Sequence, residues 1–218
     1  MTPTYSIIFG LTADPIHLGH EQAIINGIQY LRYQNIKVEE FVLIPVYQPN
    51  LIADKKSPKA SFDQRLEMCH IVAKRLSNIT HDSIIVSDIE KLIANTTGEN
   101  NYSLNTIKHL NKENCLFMVS ADHFQGRWPK FRKWFGWKDI LNYSGLLINK
   151  RPGNKINKRF IEELRGINPN VYLVEEQKSI DTSSSYIRAN LHKSDMSNHL
   201  SQDILKFIKN EGLYLLPN

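Results

Sequence analysis

Residues 5–20 read YSIIFGLTADPIHLGH, and the fold is decided by how that string changes character. Tyr5 to Phe9 is a short apolar run that stops at Gly10. From His17 to Arg32 the apolar residues fall instead at Ile24, Ile25, Ile28 and Leu31, a helical spacing. A strand that hands over to a helix across a glycine-bearing turn is the first half of a βαβ unit. Gly10 would permit a tight turn and close approach of the backbone to a ligand. Asp14 would cap the incoming helix, and Pro15 would suit its first turn. His17 and His20, three apart, would share one face at the helix start, with Gly19 leaving space for an anion between them. Helix-start N–H groups, the positive end of the dipole and two imidazoles together describe a phosphate site. His-x-x-His could also chelate zinc, but no third ligand stands on the same turn.

Outward from this string the alternation repeats. Further apolar runs occupy Glu40 to Val46, Ser83 to Ser87, Cys115 to Ser120, Ser144 to Asn149 and Val171 to Val174. Near-continuous apolar runs of this length suit strands covered on both faces, and hence a parallel sheet. Helical patterns lie between or after them at Ser61 to Leu76, Ser103 to Leu110, Asn157 to Leu164, Ser184 to Leu191 and His199 to Lys209. Strands alternating with helices predict an α/β fold, a doubly wound, mostly parallel sheet with helices on both faces. In such sheets ligands bind beyond the carboxyl ends of the strands. The stretch Thr182-Ser183-Ser184-Ser185-Tyr186-Ile187-Arg188 also follows a strand and opens a helix. Its hydroxyls can cap that helix or meet phosphate, and Arg188 can clamp two phosphate oxygens.

The chain has 218 residues, 41% hydrophobic and 22% charged, which excludes disordered and collagen-like classes. No repeat period or Pro/Gly/Ser linker divides it, so residues 1–218 read as one domain whose last ~35 residues form a helical part carrying Ser183 to Arg188. No apolar run approaches the ~18 residues of a membrane span. The first Lys or Arg is Arg32, so the N-terminus lacks the basic region of a signal peptide. Cys69 and Cys115 sit in apolar surroundings and are expected to be buried free thiols in a reducing cytoplasm. A net charge of +5 favours an anionic ligand without choosing between a nucleotide, RNA and an acidic metabolite.

Taken together, Gly-x-Thr-x-Asp-Pro-x-His-x-Gly-His over residues 10–20 and Ser-Ser-x-x-Ile-Arg over residues 183–188 resemble the nucleotidyltransferases that share a His-x-Gly-His signature. Within that class the chain is similar to the bacterial nicotinate-nucleotide adenylyltransferases over nearly its whole length. The intervening matches are Arg65-Leu66-Glu67-Met68, Asp88-Ile89-Glu90, Asn101-Tyr102-Ser103, Ala121-Asp122, Trp134 to Trp137, Lys150-Arg151-Pro152-Gly153 and Glu211-Gly212-Leu213-Tyr214. It departs from the family pattern at Leu11, Ala13 and Ser120, and in Pro49-Asn50-Leu51-Ile52, where a His-Lys pair is replaced and Lys55 and Lys56 come later.

The resemblance implies a Rossmann-like fold and transfer of AMP from ATP to nicotinic acid mononucleotide, with Mg²⁺ arriving on the ATP. It implies catalytic roles for His17, His20 and Arg188, and an ATP site of Gly10, Thr12, Gly19, Ser183, Ser184, Ile187 and Arg188. It implies an acceptor site of Ser103, Asp122, Trp134, Phe135 and Arg151, with Trp134 against the pyridine ring and main-chain N–H groups near Ser103 and Phe135 on its carboxylate. No dedicated metal ligands are implied. The partners are then ATP and a pyridine mononucleotide, with no membrane, and a homo-oligomer is compatible with the sequence. Nicotinamide mononucleotide or phosphopantetheine are the alternative acceptors. The run Arg127 to Lys138, with all three tryptophans among basic residues, motivates the rival from another class, a non-catalytic nucleotide or RNA binder.

Overall fold

The structure is a computed structural model, and it describes residues 2–49, 57–150, 155–175 and 180–214. β1 (Thr4–Leu11) runs straight through Gly10, which pairs with Ile44 of β2 (Lys37–Pro45) while Leu11 pairs with Pro45. Gly10 is therefore an extended strand residue, not the tight turn expected of it. A Cβ at Gly10 would meet nothing within 4 Å.

With β3 (Ile84–Val86), β4 (Cys115–Ser120), β5 (Gly145–Lys150) and β6 (Val171–Glu175), the sheet has the order β3-β2-β1-β4-β5-β6, all neighbours parallel. The chain starts at the centre, winds to one edge, returns to β4 and winds to the other edge. This is the doubly wound sheet that the alternation predicts. β2 begins three residues before its apolar run, because Lys37 and Val38 extend the pairing with Thr4 and Tyr5.

Successive strand residues face opposite sides, and β1 shows what that does. Ile7 and Ile8 are both fully buried, and they belong to two separate cores. Ile7 packs with α1 (Leu18–Tyr33), α2 (Phe62–Thr80), α7 (Ser184–Asn190) and α8 (Gln202–Asn210) through Ile24, Ile28, Met68, Ile187 and Ile204. Ile8 packs with α4 (Ser103–Leu110), α5 (Trp137–Tyr143) and α6 (Lys158–Ile167) through Leu104, Ile107, Ile140 and Phe160. Helices thus cover both faces. Cys69 and Cys115 are free and buried, one in each core, and burial pushes their thiols up to about 12 and about 11.

The helix starts follow local chemistry. Ser61 caps α2 by accepting from the Gln64 N–H (3.2 Å), while Gln64 Oε1 accepts from the Ser61 N–H (3.0 Å). Asn157 caps α6 in the same way through the Phe160 N–H (3.0 Å). Periodicity misses α3 (Ile89–Thr96), α5 and the 3₁₀ turns Ala121–Phe124 and Lys130–Lys133. α3 buries only Glu90 and Ile93, too few residues to write an apolar stripe. Among the described residues no helix is long and apolar enough to cross a membrane.

α5 is launched by Gly136, whose φ is +59°. A Cβ there would lie 2.4 Å from Leu104 Cδ2, so glycine is what lets α4 and α5 close on each other. Gly136→Ala is expected to cost about 1–3 kcal/mol through backbone strain and overpacking. A chain of this size should lose about 2–4 °C of Tm per kcal/mol. An unchanged melting curve would show that this contact does not constrain the helix pair.

Candidate active site

The strand order reverses between β1 and β4, and a cleft opens at their carboxyl ends. Phe9 to Ala13 form one wall. Phe117 to Ser120 with His123 and Trp134 form the other, and Gly19, His20, Asn149 and Ser184 close the ends. Of the residues the sequence singled out, Gly10, Thr12, Gly19, His20, Ser184 and Trp134 meet here.

The turn from β1 to α1 is built differently from its sequence reading. Its N-cap is His17, in extended conformation, so Pro15 precedes the helix rather than opening it. Asp14 caps nothing on α1. Its buried carboxylate accepts from the Lys59 N–H (2.9 Å), the Ala60 N–H (3.0 Å) and the Tyr214 hydroxyl (2.9 Å), and pairs with Arg188 Nη1 at 3.2 Å. Arg188 also donates to the Asp14 carbonyl, Ser184 Oγ donates to the Pro15 carbonyl (2.9 Å), and Arg65 Nη1 donates to the Thr12 carbonyl (2.9 Å). Residues 12–15 are thus gripped from α2, α7 and the C-terminal segment at once. Burial raises the Tyr214 phenol pKa, the Asp14 charge adding to it, so the hydroxyl stays a donor.

His17 and His20 stack, with ring centroids 3.7 Å apart and planes 26° from parallel. His20 Nδ1 accepts from the His17 N–H (3.3 Å), which assigns the proton of a neutral His20 ring to Nε2. His20 faces the cleft; His17, 3% exposed, lies behind it. Gly19 lines the cleft and is also closely packed from behind. A Cβ there would stand 3.1 Å from the His17 ring and 3.2 Å from the Thr182 methyl.

The remaining predicted residues sit around the cleft rather than in its lining. Ser183 caps α7 through the Tyr186 N–H (3.2 Å), and the Ile187 side chain is core. Asp122 is half-exposed beside His123, 3.7 Å away. Trp134 meets Phe117 and His123 edge to face, and the next residue, Phe135, stacks on Tyr102 at 4.7 Å. That stack brings the start of α4, and so Ser103, up to the cleft's far wall. Trp137 packs under Arg132 and against Phe131 and Phe160, as a structural residue would. Arg151 and the stretch with Lys55 and Lys56 lie outside the described residues.

His123, Asn149, Arg65 and Glu90 were not foreseen as site residues. The strand-end rule could have found the first two, since His123 lies in the turn after β4 and Asn149 is the next-to-last residue of β5. Arg65, 2% exposed, also donates to the Val46 carbonyl (2.6 Å), and burial lowers its pKa. Glu90, 5% exposed, accepts from the Tyr47 N–H (2.9 Å) and the Thr106 hydroxyl (3.1 Å). Burial pushes its carboxyl up to about 7.

Residues 8–190 match the cytidylyltransferase-like family. The chain belongs to that family. It is 29% identical to a probable nicotinate-nucleotide adenylyltransferase of Psychromonas ingrahamii, over 94% of each chain. It is 28% identical to a protein of the same description from Hydrogenovibrio crunogenus, over 68% of this chain and 63% of that one. Among solved structures, Plasmodium falciparum nicotinic acid mononucleotide adenylyltransferase complexed with NaAD superposes with a TM-score of 0.72 at 20% identity, over 97% of each chain. That likeness shows a shared fold.

Glu90 has a consequence for stability. The folded chain holds its proton more tightly than the unfolded chain, whose carboxyl titrates near the ordinary 4.5. Stability is therefore full below about pH 4.5 and is lost as pH rises through about 7. Glu90→Gln removes this loss. Urea unfolding of variant and wild type at pH 4.5 and pH 8 should show the difference moving toward the variant by about 2–3 kcal/mol. A difference that does not change with pH would mean the carboxyl titrates normally.

Proposed function

We propose that this chain transfers the adenylyl group of ATP to nicotinic acid mononucleotide, giving nicotinic acid adenine dinucleotide and pyrophosphate. The observation that carries the reading is the His20 ring at the start of α1, backed by His17 and sharing with Trp134 the crevice between β1 and β4. The named relatives and the sequence strings at both ends of the chain support it.

In this reading an acceptor phosphate oxygen attacks the α-phosphorus of ATP in line, a P–O bond forms, and the bond to the β-phosphate breaks. No side chain needs to act as nucleophile, so the protein's work is positioning and charge stabilisation. His20, held by its Nδ1, presents Nε2 to the α-phosphate and stabilises the charge that develops there. His17 fixes the plane of that ring. Gly10 leaves the β1 wall bare where the nucleotide crosses, and Thr12 and Gly19 border it.

Ser183, Ser184 and Arg188 hold the β- and γ-phosphates, with Arg188 anchored on Asp14 and Ile187 seating α7 in the core. Mg²⁺ neutralises phosphate charge when bound. Among the described residues no three His, Cys, Asp or Glu side chains are grouped to hold a metal, so the phosphates and water would carry it. Trp134 takes the pyridine ring, with the N–H groups around Ser103 and Phe135 on its carboxylate and Asp122 on the ribose hydroxyls. Arg151 takes the acceptor phosphate. The whole chain acts as one nucleotidyltransferase domain, and its buried free thiols accord with a cytoplasmic location.

Removing one preorganised charge stabiliser commonly costs 10²–10³ in rate, so His20→Ala should lower kcat by about that factor with little change in the KM for ATP. A variant retaining more than half of kcat would remove His20 from the reaction centre. The acid should also be preferred to its amide by at least about tenfold in kcat/KM, since backbone donors match a carboxylate and clash with an amide NH₂. Competing the two mononucleotides in one reaction decides this. Equal conversion would reassign the acceptor and leave adenylyl transfer standing.

A further inference from the structure

Glu90 touches no residue of the reaction centre, yet both its carboxylate oxygens are committed. Oε2 accepts from the Tyr47 N–H, and Tyr47 lies in the segment that leaves β2. Oε1 accepts from the Thr106 hydroxyl, and Thr106 sits on α4 one turn below Ser103. With its amide oriented to satisfy both groups, Asn101 adds a second link, donating to the Glu90 carbonyl (3.2 Å) and accepting from the Gln48 N–H (3.3 Å).

The same segment is held from its other side by Arg65. Its guanidinium donates to the Val46 carbonyl, to the Tyr47 carbonyl (3.5 Å) and to the Thr12 carbonyl of the histidine turn. Residues 46–48 are therefore a spacer between two buried charges. Arg65 fixes the spacer to the turn that carries His17 and His20. Glu90 fixes it to α4, whose first residues meet Phe135 through the Tyr102 ring. Apolar side chains could fill the same volume without burying an ionisable group, so filling space does not explain a carboxyl here.

We infer that Glu90 is a positioning residue for the acceptor: by tying α4 to the spacer through Thr106, it sets how far the Ser103 end of α4 stands from the histidine turn. The inference rests on the acceptor reading given above. Its action is confined to one substrate. The ATP end of the cleft is held by Asp14 and Ser184, whose hydrogen bonds involve neither Glu90 nor the spacer. The charged group facing Glu90 from α2 is Arg65; α4 and the spacer face it with the Thr106 hydroxyl and the Tyr47 peptide.

Steady-state kinetics with ATP and nicotinic acid mononucleotide, each varied at saturating levels of the other, test this on Thr106→Val, Glu90→Ala and Glu90→Gln. Thr106→Val deletes the hydroxyl that meets Glu90 and, at 3.3 Å, the Tyr102 carbonyl, and it keeps the shape, so the acceptor KM should rise about 3–10-fold. The KM for ATP and kcat should stay within about twofold. Glu90→Ala should raise the acceptor KM further, and Glu90→Gln, which can still bridge Tyr47 and Thr106, should restore most of it. Thr106→Val is the variant to rely on if Glu90→Ala does not fold by circular dichroism. Equal rises in both KM values would mean general loosening and would overturn the inference, as would an unchanged acceptor KM in Thr106→Val. If the wild-type chain does not use the mononucleotide at all, the functional reading fails and the inference falls with it. A wild type that turns it over, beside variants with unaltered acceptor KM, sinks the role of Glu90 alone.

Discussion

A carboxylate at Asp14, 3% exposed, is the constraint around which the cleft is assembled. An anion so buried is tolerable only when donors surround it, and no donor comes from its own turn. Two come from backbone N–H groups just before α2, one from the Tyr214 hydroxyl and one from Arg188 on α7. Satisfying one charge therefore pulls three distant segments onto the β1–α1 turn. The histidine pair inherits its rigidity from that closure. The His17 N–H holds the His20 ring through its Nδ1, and the His17 ring stacks on it.

The two sides of the cleft are held by different physics. Charge and hydrogen bonds converge on the histidine side. The Trp134 side is aromatic packing: Phe131 fully buried, Phe124 stacked on it at 5.0 Å, and Trp134 resting against both Phe131 and Phe117. A polar, preorganised wall opposite an apolar, edge-to-face wall suits a ligand with phosphates at one end and a flat ring at the other. Residues 46–48 join the two, with Arg65 and Glu90 pulling from opposite sides.

Much of this was legible in the sequence. Every apolar run became a strand of the parallel sheet, and the rule that ligands gather at strand ends led to Gly10, Thr12, Gly19, His20 and Ser184. What local pattern could not give was the meaning of Asp14, read as a helix cap because the nearest helix was the only partner in view. Its partners lie 45 to 200 residues away in the chain. Arg65 and Glu90 stood in strings that match the family pattern but were given no role, for the same reason: each looks like an ordinary charge on a helix until the fold brings the 46–48 segment between them. Gly10 and Gly19 both line the cleft, and each has a local place in the fold that the sequence pattern did not convey. One is an ordinary strand residue and the other is shaved to fit the His17 ring.

The 200-residue separation between Asp14 and Tyr214 sets an order on biosynthesis. At roughly 5–20 residues per second, the ribosome needs on the order of 10–40 s after making the turn before it supplies the residue that completes its hydrogen bonds. The other donors to Asp14 arrive in turn, Lys59 and Ala60 first and Arg188 later, so the carboxylate is satisfied in steps along the chain. A product that stops short of Leu213 and Tyr214 leaves the tyrosine's side of the Asp14 carboxylate to water, and it also lacks a leucine that belongs to the same apolar core as Ile7.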